Sequence, residues 1–332
     1  MKFNRNLSWL LVIIVVFLIP LSIKDNTYFL SVFILCLINI ILASGFRVIS
    51  SVGQLCFATM AFAGIGAYTS ALLMMKLGFP IWVTLPLSGI AAMIVASIVA
   101  YPFVRVTGIY FAMLTLFFGE VIRLILIEWK SITSGSTGLT NIPSIGTMSI
   151  AGFTIDFANY LPYSYFVLII MIICLLFLYR IDHSRLGTTL KCIEQDELVA
   201  KSVGINVVGY KVLVFCIGCF FAGIAGCLYA HYLRAIVPDS FGLFPSIYIV
   251  IYTMAGGRKS FVGPIVGAIV LTLIPQIFSM LVQYQPFIYA AALYIVLYVM
   301  PGGLVDLPRI IMSRLPRFDG RGKCEGKGVA ND

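Results

Sequence analysis

Val212-Leu213-Val214-Phe215-Cys216-Ile217-Gly218-Cys219-Phe220-Phe221-Ala222-Gly223-Ile224-Ala225-Gly226-Cys227-Leu228-Tyr229-Ala230-His231-Tyr232 contains no Asp, Glu, Lys or Arg. About 17–25 residues of this kind cross the hydrocarbon of a bilayer as a helix. Water is absent there, so an extended segment would leave its N–H and C=O groups unpaired, and the run must be helical. It reads as a transmembrane helix, and it decides the fold class.

Outward from it the same pattern recurs at 7–23, 28–46, 55–75, 79–104, 108–127, 162–179, 244–256, 263–282 and 286–300, giving ten candidate spans with 212–232. Composition agrees: 61% of the residues are hydrophobic, 11% are charged, and the mean hydropathy is +1.06. A soluble globule could not hide so much apolar surface. The expected fold is an all-α integral membrane protein of about ten transmembrane helices, some short or broken.

The formal charge of +9 does not point to nucleic acid, because the cations punctuate the ends of apolar runs and fill the tail after Gly303. They act instead as orientation signals in a lipid bilayer. With the N-terminus inside, the inside segments hold seventeen Lys and Arg, including Arg47, Arg105, Arg180, Lys211 and Arg258. The outside segments hold Lys24, Lys76, Lys130 and Arg234 only. Both termini are therefore expected in the cytoplasm. The layout is a transmembrane domain, 1–302, with a cytoplasmic loop at 180–211 and an external loop at 128–161, then a basic polar cytoplasmic tail at 303–332. The first apolar run has no small-x-small cleavage site after it and reads as an uncleaved helix.

The spans differ in texture. The run 55–75 carries Gly64 and Gly66 among alanines, so its backbone can approach a neighbour closely or break. Proline occurs at 80, 86 and 102, at 245, and at 264 and 275. Such residues either open helices where they line a cavity or reflect the general tolerance of membrane helices for Gly and Pro. Phe62-Ala63-Gly64-Ile65 recurs as Phe221-Ala222-Gly223-Ile224, a hint of internal repetition between spans running the same way. Glu120 and Arg123 lie three apart on one helix face and can pair, either as a structural element or as a substrate contact. Between 128 and 161 the Gly/Ser/Thr-rich centre is a docking surface or a plain connector.

Chemistry-bearing motifs are missing. His183 and His231 have no metal-ligand set around them, and Cys216-x-x-Cys219 sits in an apolar helix with no second pair. Gly256-Gly257-Arg258-Lys259-Ser260 lacks the upstream glycine and the Gly-Lys step of a phosphate-binding loop. No metal site and no bound cofactor are expected, and any ATP must be bound by another chain.

One polar insertion stands out, 184–205, between two apolar runs. Asp196 or Gln195 can open a short helix that Gly204 ends with a left-handed residue. Leu186, Leu190, Ile193, Ala200 and Val203 offer apolar contacts toward the membrane domain or a soluble partner. Arg185, Lys191, Glu194 and Lys201 can stay wet. A helix this short is below the ~12–15 residues that stand alone, so it needs something to pack on.

From about Gly45 to Leu304 the chain resembles the permeases of branched-chain amino acid ABC importers, of the LivM type. The resemblance rests on Gly53-Gln54-Leu55-Cys56-Phe57-Ala58 leading to Gly64-Ile65-Gly66-Ala67-Tyr68-Thr69. It continues through Gly108-Ile109-Tyr110-Phe111-Ala112-Met113-Leu114-Thr115, Gly119-Glu120-Val121-Ile122-Arg123 and Thr137-Gly138-Leu139-Thr140-Asn141-Ile142-Pro143. Last come Ser184-Arg185-Leu186-Gly187, Asp196-Glu197-Leu198-Val199-Ala200-Lys201-Ser202-Val203-Gly204-Ile205 and Gly256-Gly257 before Gly263-Pro264. It implies a non-catalytic, multi-pass transport subunit of a bacterial cytoplasmic (inner) membrane. Its implied partners are a second permease of the LivH type, two cytoplasmic ATPases carrying ATP and Mg, and an extracytoplasmic amino-acid-binding protein. The implied cargo is leucine, isoleucine and valine. Arg185, Leu186, Gly187, Asp196, Glu197, Ala200 and Gly204 become the ATPase-coupling candidates, and Gly64, Gly66, Tyr68, Thr69, Tyr110 and Thr115 the candidate path. The general importer motif Glu-Ala-Ala-x-x-x-Gly keeps Ala200 and Gly204 in register, while Val199 replaces an alanine and Glu197 falls one residue early. A related importer of urea, short amides or other amino acids, a membrane enzyme, and a passive channel are the alternatives; ATP dependence separates importer from channel.

Overall fold

The computed structural model describes residues 26–143 and 159–277, the strand segments 147–150 and 153–156, and the isolated positions 17, 20, 21, 287 and 294. In chain order the helices are α1 (Thr27–Ser50), α2 (Thr59–Leu77), α3 (Ile81–Val104), α4 (Ile109–Glu128) and the short α5 (Lys130–Thr133). After a hairpin of β1 (Thr147–Ile150) and β2 (Phe153–Asp156) follow α6 (Tyr160–Asp182), α7 (Arg185–Gln195), α8 (Glu197–Ser202) and α9 (Val207–Leu233). A 3-10 turn at Pro238–Phe241 then leads into α10 (Leu243–Gly256) and α11 (Gly263–Ile277).

Six of these, α1 to α4, α6 and α9, are long and apolar enough to cross a membrane. The expected span 244–256 is a helix of only 14 residues, about 21 Å long at 1.5 Å per residue, too short to cross a core of about 30 Å alone. The expected spans 7–23 and 286–300 fall outside the described residues apart from isolated positions, as does the end of 263–282. The all-α class holds, and the loop between α5 and α6 adds a small hairpin in which Thr147 to Ile150 pairs antiparallel with Asp156 to Phe153.

Span 55–75 is also corrected: α2 starts at Thr59 and runs unbroken through Gly64 and Gly66. The preceding residues are held out of the helix because the Phe57 N–H donates to Thr115 Oγ1 at 3.1 Å, and Gly53 turns the chain at φ 79°. Among the prolines, Pro86 and Pro102 lie inside α3, whereas Pro245 and Pro264 sit in the first turns of their helices, where no N–H is lost from the ladder.

The core is organised around α9, and the physical reason is small residues. A Cβ on Gly66 would lie 2.5 Å from Gly223 Cα, and one on Gly226 would strike the backbone of Ala63. On its other sides Gly223 meets Ser88 O of α3, where a Cβ would come to 2.7 Å, and Gly218 meets Ile49 of α1. Lipid tails are as apolar as leucine, so such close backbone contact is what drives helices together in a bilayer. The repeated Phe-Ala-Gly-Ile tetrapeptides thus lie on the two helices that cross at each other's glycines. Those helices run the same way: Phe62 meets Phe215 toward one end, and Ser70 bonds His231 toward the other, at 2.7 Å.

Two ends result. One gathers the C-terminus of α1, the α6–α9 connection and the α10–α11 turn. The other gathers the C-termini of α4 and α9 with the segment from Ser134 to Pro143, where Leu139 and Ile236 form an antiparallel bridge.

Candidate functional site

The insertion 184–205 folds into two helices, not one. In α7 the residues Gly187, Leu190 and Ile193 share a face and are buried, while Lys191 and Cys192 point away from it. Gly187 is needed for the tight entry, because a Cβ there would meet the backbone of Asp182 at 2.6 Å. Asp196 interrupts the helix with an extended backbone, then caps α8 by accepting from Leu198 N at 2.7 Å and Val199 N at 3.2 Å. At the other end Gly204, at φ 84°, donates to Lys201 O at 3.0 Å and Ile205 donates to Ala200 O at 3.1 Å. This pair of bonds is the Schellman arrangement expected of a glycine stop.

Ion pairs tie both helices to the membrane domain. Lys211, at the start of α9 and 2% exposed, donates to Glu197 Oε1, which gives the offset Glu197 a definite anchor. Arg258, in the α10–α11 turn, reaches Glu194 of α7 at 2.8 Å. The backbone oxygen of that same Arg258 accepts from Arg47 Nε of α1 at 3.2 Å, and Arg47 also pairs with Asp182 of α6 at 3.2 Å while lying over the Phe261 ring. One charged cluster therefore links the ends of α1 and α6 with the α10–α11 turn and α7, and the Glu197–Lys211 pair separately ties α8 to α9.

Of the coupling candidates, Ala200 faces inward and is 2% exposed, and Gly187 is buried; Arg185, Asp196 and Gly204 are exposed, and Leu186 and Glu197 are half-buried. The outward apolar surface is instead Leu198, Val199 and Val203, exposed at 75%, 59% and 75%. Of these three the sequence reading had singled out Val203. Leu198 and Val199 of the six-residue helix and its C-cap Val203 thus form a small exposed apolar patch.

The candidate path residues are not brought together. Gly64 packs against Phe241, with a Cβ position 3.0 Å from its ring, and Tyr68 is buried edge-on to the same ring. Thr69 donates to Ile65 O within its own helix, whereas Thr115 donates to Ala112 O and accepts from the Phe57 N–H. Tyr110 lies on the outer surface of α4, at 70% exposure. A pocket of about 250 Å³, lined in part by that same Phe241, lies between α1, α2, α9, α10 and Thr272 of α11, with Ala63, Gly226 and Tyr229 in its wall.

Glu120 and Arg123 do pair, as expected, and the structure adds a third member. Arg123 donates from Nε to Glu120 Oε1 at 2.7 Å and from NH1 to Asp239 Oδ1 at 2.6 Å. Asp239 is well exposed, so the cluster lies at the surface and bridges α4 to the turn before α10. Among the described residues, no three His, Cys, Asp or Glu are grouped to hold a metal ion.

A bundle of apolar helices, six of them long enough to cross a membrane, with a clamped helix pair at one end, is the frame of a multi-pass membrane protein. Residues 28–301 match the family model described as the branched-chain amino acid transport system / permease component, and the chain belongs to that family. It is 28% identical to the high-affinity branched-chain amino acid transport system permease protein LivM of Escherichia coli over 294 residues, 83% of this chain and 69% of that protein. It is 26% identical over 288 residues to the LivH permease protein of Salmonella typhimurium, 81% of this chain and 92% of that protein. A probable LivM permease of Methanocaldococcus jannaschii is 22% identical over 244 residues, 68% of each chain. No solved structure matches the chain significantly.

Proposed function

We propose that this chain is the LivM-type half of the membrane domain of an ATP-driven importer of leucine, isoleucine and valine. The second half is a LivH-type permease. Two cytoplasmic ATPases bind ATP and Mg, and an extracytoplasmic binding protein delivers the amino acid. The chain sits in a bacterial inner membrane with both termini and α7–α8 in the cytoplasm, the orientation favoured by the distribution of Lys and Arg.

The observation that carries this reading is the geometry of α8. Its buried side is fixed by Ala200, Glu197 and the Asp196 cap, and its outer side offers Leu198, Val199 and Val203. A rigid body with an apolar knob suits a groove on a soluble motor domain. Motion of that motor then pulls on Lys211 of α9 and on Arg258 between α10 and α11 through the ion pairs.

The test is reconstitution of the chain with its partners in vesicles. Uptake of labelled leucine should require ATP and the binding protein. Uptake that runs down a gradient without ATP would make the chain a channel component, and conversion of leucine to another compound would make it an enzyme.

A further inference from the structure

We propose that the cavity between α1, α2, α9 and α10 is an intramembrane binding site, contained within this one chain, for a small zwitterion with an apolar side chain. The site rests on the amino-acid transport reading above and deepens it.

The walls and rim divide the chemistry. Leu35, Leu42, Phe241 and Ile249 supply an apolar enclosure for an aliphatic group, and the volume of about 250 Å³ suits a molecule of amino-acid size rather than a lipid chain. The floor is the α2–α9 crossing, where Ala63, Ala225 and Gly226 carry almost no side chain. The small residues that let those backbones touch are therefore also what leaves the space beside them open.

Polar groups sit at defined places on the rim. Asn39 spends its amide N–H on Thr272 Oγ1 at 3.0 Å, which leaves the amide oxygen as an acceptor suited to an ammonium group. Ser240, Phe241 and Pro245 flank the start of α10, where Phe241 and Gly242 are buried and no side chain caps the helix. The start of a helix carries partial positive charge and favours a carboxylate. The lining thus offers an acceptor for an ammonium, a helix start for a carboxylate, and apolar walls for an aliphatic side chain.

The experiment uses the complete reconstituted importer and a photoreactive diazirine analogue of leucine. After irradiation the adducts are mapped by peptide mass spectrometry. The expected result is ATP-dependent uptake of the analogue, competed by leucine, with adducts on Leu35, Tyr229, Phe241 or Tyr248 that excess leucine abolishes. Ala225→Leu, which fills the cavity, should lower leucine and isoleucine uptake by about tenfold while sparing alanine, the smaller substrate. ATP-dependent uptake with adducts confined to other surfaces overturns the site and leaves the transport reading standing. Absence of ATP-dependent uptake overturns the transport reading and the site with it. Because adducts are mapped on the unmodified chain, the result does not hinge on whether Ala225→Leu folds.

Discussion

Glu194 of α7 accepts a hydrogen bond at 2.8 Å from Arg258, 64 residues further along the chain and beyond α8, α9 and α10. Both side chains are partly exposed, so the pair itself stabilises the fold by only about 0.2–1 kcal/mol. Its value on this account is mechanical. Glu194→Ala and Arg258→Ala should therefore insert and assemble normally but import several-fold less leucine per ATP hydrolysed. The exchanged pair Glu194→Arg with Arg258→Glu should recover most of the loss. Uptake and ATP hydrolysis measured side by side in proteoliposomes check this, and unaltered coupling in both single variants would remove the pair from the transmission route.

The Glu197–Lys211 pair differs because Lys211 is 2% exposed. Removing one partner of a buried pair leaves an uncompensated charge and costs about 3–5 kcal/mol, whereas replacing both by apolar residues can be neutral. Glu197→Ala should loosen the helix pair and speed tryptic cleavage at the exposed Lys201, and Glu197→Leu with Lys211→Met should restore resistance. Gly204→Val should act in the same direction, since a β-branched residue at φ 84° is strained. Limited proteolysis in detergent reads all three; equal cleavage rates would mean that α8 is held by something else.

Gly66→Leu is expected to fail earlier than a defect in transport. With Gly223 Cα only 2.5 Å from a Cβ on Gly66, the α2–α9 crossing cannot form around a larger side chain. The variant should be degraded or aggregate in size-exclusion chromatography, whereas Gly119→Ala, whose added atom meets nothing closer than 3.6 Å, should remain monodisperse. A well-behaved Gly66→Leu protein would contradict the packing at this crossing.

What could be read from the chain depended on the range of the signal. Apolar runs announce themselves by length alone, so α1 to α4, α6 and α9 were legible. The cap and stop of α8 were legible too, because Asp196 and Gly204 act within a few residues of themselves. Glu194–Arg258 and Arg47–Asp182 were not, since partners 64 and 135 residues apart share no local spacing. The outward face of α8 was not legible for a related reason: which side of a short helix is covered depends on where Lys211 pulls Glu197. The cavity escaped notice because its wall comes from five helices and the 3-10 turn before α10, and its small residues looked like packing alone.

Orientation can be checked on a native residue. Cys192 lies on the exposed side of α7. Cys56 is fully buried, its thiol pushed up to about 12 by loss of solvent. With Cys324 replaced by serine, a membrane-impermeant maleimide should label Cys192 in inside-out vesicles but not in intact cells, and should leave Cys56 unmodified. Labelling in intact cells would invert the assigned topology.

The most direct measurement concerns Leu198, Val199 and Val203 replaced together by serine. Exposed positions rarely change stability by more than about 0.5 kcal/mol each, so the permease should still insert and pair with its sister subunit. In vesicles holding all subunits, this variant is predicted to lose both leucine uptake and binding-protein-stimulated ATP hydrolysis, and to release the ATPases on purification. Full uptake and full stimulation by the triple variant would contradict the claim that α8 is where an ATP-driven partner grips this protein.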